Sequence, residues 1–193
     1  MHTIEPTGIW KHLYDASDDR RSPFYGRVYN ETLCTHAVYN YYVHPLWDYI
    51  GSSTLYVKLL YADYSKQFCI IELMGEWNDC LYNDIMYLKR EVADSLMAQG
   101  INKFIVIGEN VLNFHASEND YYAEWADDIE NGWVVAMHLR KHVIAEFRTI
   151  FVDSYMAMGG QFNHINWRTL QPHQLLSVVE DILTRRLTNS NDL

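Results

Sequence analysis

Between Thr54 and Tyr64 the chain alternates around Leu55, Val57, Leu59 and Tyr61, the period of two that a half-buried strand requires. A second apolar run, Phe68 to Met74, follows after only Ser65, Lys66 and Gln67. Strands so close must pair antiparallel, because a parallel return needs a dozen residues or more. Past Gly75 the period changes. Asn78 or Asp79 can cap a helix whose inward face is Leu81, Ile85, Leu88, Val92 and Leu96, and Gly100 ends it. Phe104 to Ile107 is continuously apolar, as in a central strand covered on both faces. Ser117 with Asp120 approximates a capping box for an acidic helix bearing Tyr121, Trp125 and Ile129, which stops near Asn131 and Gly132. Trp133 to His138 is the next buried strand. Val143, Phe147, Ile150, Ser154 and Met158 predict a helix closed by Gly159 and Gly160, and a short strand is expected within Phe162 to Trp167. Pro172 then opens a last helix with Leu175, Leu176, Val179, Ile182, Leu183 and Leu187 inward.

Strands alternating with helices predict an α/β fold: a mostly parallel sheet with helices packed on it, right-handed at each crossover, with a leading antiparallel β-hairpin. Residues 1–53 differ. They are rich in Tyr and Trp without a clear period, and are expected to form an aromatic-rich N-terminal extension packed on the domain of residues 54–193. Within them His44 to Gly51 predicts a short helix with Pro45 in its first turn. Alternatively Tyr39, Tyr41, Tyr42 and Trp47 form a partner surface, since aromatic groups are enriched where surfaces meet.

Charge narrows the partners. The 193 residues carry Lys plus Arg 15 against Asp plus Glu 25, a net charge of −10. Glu118, Asp120, Glu124, Asp127, Asp128 and Glu130 fall together with no basic residue among them, so nucleic acid and anionic membranes are not expected on that face. The longest apolar run is five residues, Trp133 to Met137, whereas a spanning helix needs about 20. Cys34, Cys69 and Cys80 are an odd count without metal spacing, which together with the lack of a basic, apolar leader predicts a soluble cytoplasmic protein.

From Thr54 onward, a hairpin followed by helix and strand in alternation resembles the STAS-like family of bacterial anti-sigma-factor antagonists. The echoes are Ile70-Ile71-Glu72-Leu73-Met74-Gly75-Glu76-Trp77 running into the first helix, Lys103 to Gly108, Gly132 to Ala136, and Leu170-Gln171-Pro172-His173-Gln174-Leu175-Leu176 entering the last helix. The resemblance implies a non-enzymatic regulatory or ligand-binding role, with a protein partner or a second copy of the chain. It also implies a phosphorylatable serine in an Asp-Ser-Ser-Gly-like turn. The matching stretch here is Glu109-Asn110-Val111-Leu112-Asn113-Phe114-His115-Ala116-Ser117, in which Ser117 is the sole serine. Its plain role is helix capping, and Glu118 and Asp120 would repel a phosphate there.

No glycine-rich phosphate cradle and no Gly-x-Ser-x-Gly elbow occurs, so no catalytic residue and no cofactor is assigned. His138 and His142 stand four apart but across a strand-to-helix junction, without a third ligand, so no metal site is expected; His12 with Asp15, Asp18 and Asp19 reads as a solvated turn. Asp63 fits the first element of a metal-dependent nuclease, but Glu72-Leu73-Met74 lacks the lysine such a site wants. Ligands of open parallel sheets sit beyond the carboxyl ends of the strands. Those ends offer Glu76 and Trp77, then Glu109 and Asn110, then His138 and Arg140, with His115 in the loop after. If they converge, they make a ligand- or partner-binding set, or an acid–base set for an enzyme; if not, they are loop charges in ion pairs and caps.

Overall fold

The computed structural model describes residues 2–30, 34 and 36–190. Its strands in chain order are β1 (His2–Ile4), β2 (His36–Val38), β3 (Tyr41–Val43), β4 (Asp48–Tyr49), β5 (Leu55–Asp63), β6 (Phe68–Asn78), β7 (Lys103–His115), β8 (Trp133–Met137) and β9 (Ala157–Met158). Six of them form one sheet in the order β4-β5-β6-β7-β8-β9. The pairs β4/β5 and β5/β6 are antiparallel, and β6/β7, β7/β8 and β8/β9 are parallel. The expected α/β architecture is therefore present: a mostly parallel sheet flanked by helices, with a leading antiparallel hairpin. Beside it β1, β3 and β2 make a small separate sheet.

Alternation explains the two cores. On one face of β6 Cys69, Ile71, Leu73 and Trp77 join Phe104 and Val106 of β7, and on the other Phe68 and Ile70 join Ile105 and Ile107. The first face is covered by α1 (Asp79–Tyr82), α2 (Asp84–Tyr87), α3 (Asp94–Met97), α4 (Asp120–Asp128) and α5 (Lys141–Thr149); the second receives α6 (Pro172–Ser190) through Leu175, Leu176, Val179 and Ile182. The side chain of Leu187 lies outside the described residues.

Both central strands run past their expected ends. β6 passes through Gly75, whose φ of +120° is open to glycine but not to other residues, and a Cβ there would lie 2.0 Å from the Thr54 carbonyl oxygen. β7 continues from Ile107 to His115 because it carries two irregularities: Glu72 faces Ile107 but Met74 faces Asn110, and Gly75 faces Val111 but Glu76 faces Asn113. Each adds one residue to β7 and reverses which face its side chains meet. Glu109, Asn110 and His115 are thus strand residues, a correction to their expected place in a loop.

The first helix is also not continuous. Asn78 caps it as expected, its Oδ1 accepting from the Leu81 amide at 2.9 Å. Asn83 then turns left-handed, φ 53°, so Leu81 falls on the solvent side, 74% exposed, while Ile85, Leu88, Val92 and Leu96 are buried. Between α2 and α3 the turn Leu88–Ala93 is π-helical, and it seats Lys89 with no exposed surface. The Lys89 ammonium meets Asp94 at 2.8 Å, Glu124 at 3.1 Å and Asp128 at 2.7 Å. Burial lowers its pKa, but the three carboxylates more than offset this and raise it. Part of the acidic α4 face is thus matched by a cation from the neighbouring helix.

Three further elements differ from expectation. The helix of Val143 and Phe147 ends at Thr149, and after Phe151, φ 60°, a 3-10 turn Val152–Ser154 leads into β9, so Met158 is a strand residue and Gly159 closes no helix. Gly160–His164 and Trp167–Thr169 are 3-10 turns where a strand was expected. His44 to Gly51 is not helical: Asp48–Tyr49 pairs with β5 as β4. The small N-terminal sheet packs Val38 and Val43, with Trp47, against Tyr56 and Met74.

Gly75→Ala is expected to destabilise the fold by at least about 2 kcal/mol, since a backbone carbonyl must move to admit the methyl. Urea unfolding at neutral pH checks it, and an unchanged midpoint contradicts the strained passage of β6.

Candidate functional site

The structure divides the strand-end candidates. Glu76 and His115 do meet, on adjacent strands, with Oε1 2.6 Å from Nε2. Asn78 Nδ2 donates to the same Glu76 oxygen at 3.1 Å, and Asn113 lies 3.2 Å from His115 Nε2. Burial and the nearby Glu76 carboxylate raise the pKa of the Tyr39 phenol of the β2–β3 turn. Glu109 belongs elsewhere: its Oε2 accepts from Arg168 at 2.6 Å. Arg140 is exposed at the start of α5, and Trp77 has no exposed surface, sitting among Phe114, Tyr122 and Phe147. The convergence of Glu76, Glu109, His115 and Arg140 that an acid–base set would need does not occur, Glu109 instead standing in an ion pair with Arg168, and Trp77 is a core residue.

Ser117 does not cap α4. The cap position is Asn119, whose side-chain amide donates to the Ile150 carbonyl at 2.8 Å. Ser117 instead lines a cavity of about 270 Å³ with Asp79, Cys80, Glu118 and Asp120, an acidic surround that disfavours a phosphate. Asp79 and Asp84 resemble an acid pair, and burial pushes Asp79 up to about 6. Structural donors already hold them: Asp79 takes Tyr122, Trp77 and the Ile85 amide, and Asp84 takes Thr54 and the Asn78 amide. His138 and His142 approach separate carbonyls, of Ile165 and Leu112, and among the described residues no three His, Cys, Asp or Glu are placed to hold a metal ion. Asp19 accepts from Tyr14 and Tyr64, and Asp15 from Ser17, so the turn that follows His12 is tied by its own hydrogen bonds.

The stronger site lies on the other face, beneath residues 5–16. Two charged residues interrupt the apolar strands β5 and β6, and the register places them opposite each other: Lys58 against Glu72. They do not bond. Glu72, 1% exposed, accepts the Thr7 amide on Oε2 at 2.8 Å and the Asn110 side-chain amide on Oε1 at 3.1 Å. Burial pushes its carboxyl up to about 7, against those donors and the nearby Arg168. Lys58 reaches Asp48, 3.4 Å away and with no exposed surface, while its ammonium lies 3.8 Å from the centre of the Tyr29 ring. Asp48 is held more closely by Tyr29 at 2.7 Å and Arg27 at 3.1 Å. Burial lowers the Lys58 ammonium and raises the Asp48 carboxyl, and their mutual attraction opposes both. Burial, reinforced by the Asp48 carboxylate, keeps the Tyr29 phenol protonated.

Over this rung lies a cavity of about 350 Å³. Its polar wall includes Lys11, Asp15, Tyr29, His44 and Lys58, and its apolar wall Pro6, Trp10, Leu46 and Leu60. Trp10 is fixed by donation from Nε1 to the Leu170 carbonyl at 3.0 Å and by its contact with Trp167. Cavities of this size with a few converging polar groups are the form small-molecule sites take. Sequence reasoning missed Lys58, Tyr29, Asp48 and Trp10; the available signal was the single charge in each apolar strand, Lys58 among Leu55 to Leu60 and Glu72 among Cys69 to Met74.

Fold and site define an α/β unit with a ligand-sized cavity between its sheet and its N-terminal segment. No family model matches the sequence, and no curated protein is found similar to it. Among solved structures the chain is similar to the phosphorylated form of the Bacillus cell fate determinant SpoIIAA, at a TM-score of 0.37 and 10% identity, covering 54% of this chain and 92% of that one. A likeness of that degree carries no functional argument, so the functional reading rests on the residues of this chain. Among the described residues no helix is long and apolar enough to cross a membrane.

Glu72 makes stability depend on pH. The unfolded chain releases this proton near 4.5 and the folded one near 7, so the contribution is full below 4.5 and is lost as pH rises through 7. It amounts to about 3 kcal/mol. Glu72→Gln is expected to remove this slope and to be the more stable form at pH 8; urea titrations across the range check it.

Proposed function

We propose that the protein acts by binding a small molecule in the cavity between residues 5–16 and β5. The observation that carries this reading is a mostly buried cation, Lys58, in a cavity wall that joins the apolar Leu60, Leu46 and Trp10 to the polar Lys11, Asp15, Tyr29 and His44. Placing a charge there has a desolvation cost that a purely structural wall would avoid. The Glu76–His115 pair lies outside this cavity, so the reading assigns it no part in ligand binding. Protein-observed NMR with a fragment set tests the proposal: binders are expected to move the Trp10 indole resonance, identified by its loss in Trp10→Phe. Leu46→Trp, which adds bulk to one wall, is expected to weaken them by about tenfold or more. Binders that leave the Trp10 resonance in place count against the cavity.

A second reading, a regulatory module that binds protein or its own copy, is favoured by Tyr25, Tyr39, Tyr42 and Tyr49, all exposed on the N-terminal layer. It expects self-association in sedimentation, weakened by Tyr42→Ser with Tyr49→Ser. A strict monomer that recovers no partner in a pull-down opposes it.

A further inference from the structure

The class of ligand can be inferred from the same cavity, resting on its assignment as a binding site. We infer that it takes a small organic monocarboxylate, the carboxylate received by Lys58 and a flat or apolar body lying against Trp10 and Leu60.

The donor count comes first. An ammonium offers three N–H groups. Among the described residues the Lys58 ammonium has one acceptor, Asp48 Oδ2 at the long distance of 3.4 Å, and one aromatic face, Tyr29. Asp48 is not free to come closer, since Arg27 and Tyr29 hold its other oxygen. The Lys58 side chain is 16% exposed and lines the cavity. A ligand carboxylate would supply the charge-assisted acceptor that is missing.

Charge sets the valence. Around the rung stand the cations Arg27, Lys58 and Lys11 and the carboxylates Asp48 and Asp15. With Glu5 the count is three positive charges against three negative, so a single anion is selected locally, by the shortage of acceptors at the Lys58 ammonium. Glu5, exposed at the rim, and Asp15 in the wall oppose any second negative charge, which disfavours phosphate monoesters and dicarboxylates. Glu72 is not among the residues that line the cavity, and its oxygens accept from protein donors, Thr7 and Asn110.

The body follows from the apolar part of the lining. Trp10 and Leu60 are 3% and 7% exposed, and Pro6 and Leu46 extend that wall toward the mouth. An aromatic ring is well suited to such a surface, because rings gain offset and edge contacts beyond the area they bury.

Phenylacetate, its neutral analogue phenylacetamide, the cation phenethylamine and the dianion phenyl phosphate are the probes, titrated at millimolar concentration against the intact chain by NMR. Phenylacetate is expected to move the Trp10 indole resonance and to bind about tenfold or more tightly than each of the others. Lys58→Met, which keeps the aliphatic stem, is expected to erase the preference for phenylacetate over phenylacetamide, and Lys58→Arg to restore it. Equal binding of phenylacetate and phenylacetamide, or an unaltered preference in Lys58→Met, overturns the ligand class but leaves the cavity a binding site. If no probe moves the Trp10 resonance, the inference fails together with the binding reading it rests on.

Discussion

The arrangement of every polar group described above depends on the parallel pairing of β6 with β7. These are the longest strands, and each is covered on both faces, so neither can shift register without exposing one core and burying the charges meant for the other. Two extra residues in β7 fix what lies where. In the regular part Phe104 and Val106 face the helical core; after the first irregularity Val111 does, and after the second Phe114 does. The same two steps bring Asn110 to the face of Glu72, and Asn113 with His115 to the face of Glu76. A regular β7 would send Asn110 into the helical core, where its amide would find no partner.

The N-terminal layer is placed by polar anchors more than by a ladder of backbone bonds. Only the two residues of β4 pair with the main sheet. The rest is tied by single contacts: the Thr7 amide to Glu72, Trp10 to Leu170, Trp47 to Ile4, and Arg27 with Tyr29 to Asp48. Hydrogen bonds to buried charges contribute about 1.5–3 kcal/mol each, more than neutral ones. They are also directional. A carboxylate in the middle of a sheet face therefore dictates where an irregular segment crosses it, which apolar contact alone does not.

The main sheet was legible because its strands obey simple rules over their first residues: β5 alternates from Leu55 to Leu59, β6 opens on the apolar run Phe68 to Ile71, and β8 is apolar throughout. The last helix was legible from Pro172 and from its inward leucines. What escaped was set by tertiary partners. The far half of β7 reads as a loop because its buried positions Ile107, Val111 and Phe114 fall four and three apart, which matches no strand period until the register with β6 is known. Leu81 fits a helical face in sequence, yet the left-handed Asn83 ends that face early. β9 and the 3-10 turns beside it are too short to carry a period at all. Of the site, the meeting of Glu76 with His115 follows from strand ends lying side by side, whereas the separation of Glu109 follows from the irregularities and had no local signal.

The cavity occupies its position for a reason that can be traced to one rung of the hairpin. Along β5 the residues turned toward the N-terminal layer are Tyr56, Lys58 and Leu60; along β6 Met74 faces Tyr56 and Glu72 faces Lys58, while Ile70 faces Tyr61 because Leu60 is an extra residue in β5. Tyr56 and Met74 belong to the small core under the N-terminal sheet, and Leu60 and Ile70 to the core under α6. Lys58 and Glu72 therefore separate two apolar clusters that a hydrophobic pair would have merged. Each charge turns away from the other, Lys58 toward Asp48 and Glu72 toward Thr7, and the segment above must arch over them rather than pack down. The opposite face has no such rung: Trp77, Phe114, Tyr122 and Phe147 stack there into a closed aromatic cluster. The enclosed space thus falls where two polar side chains break the continuity of the core, which also places a cation at its wall.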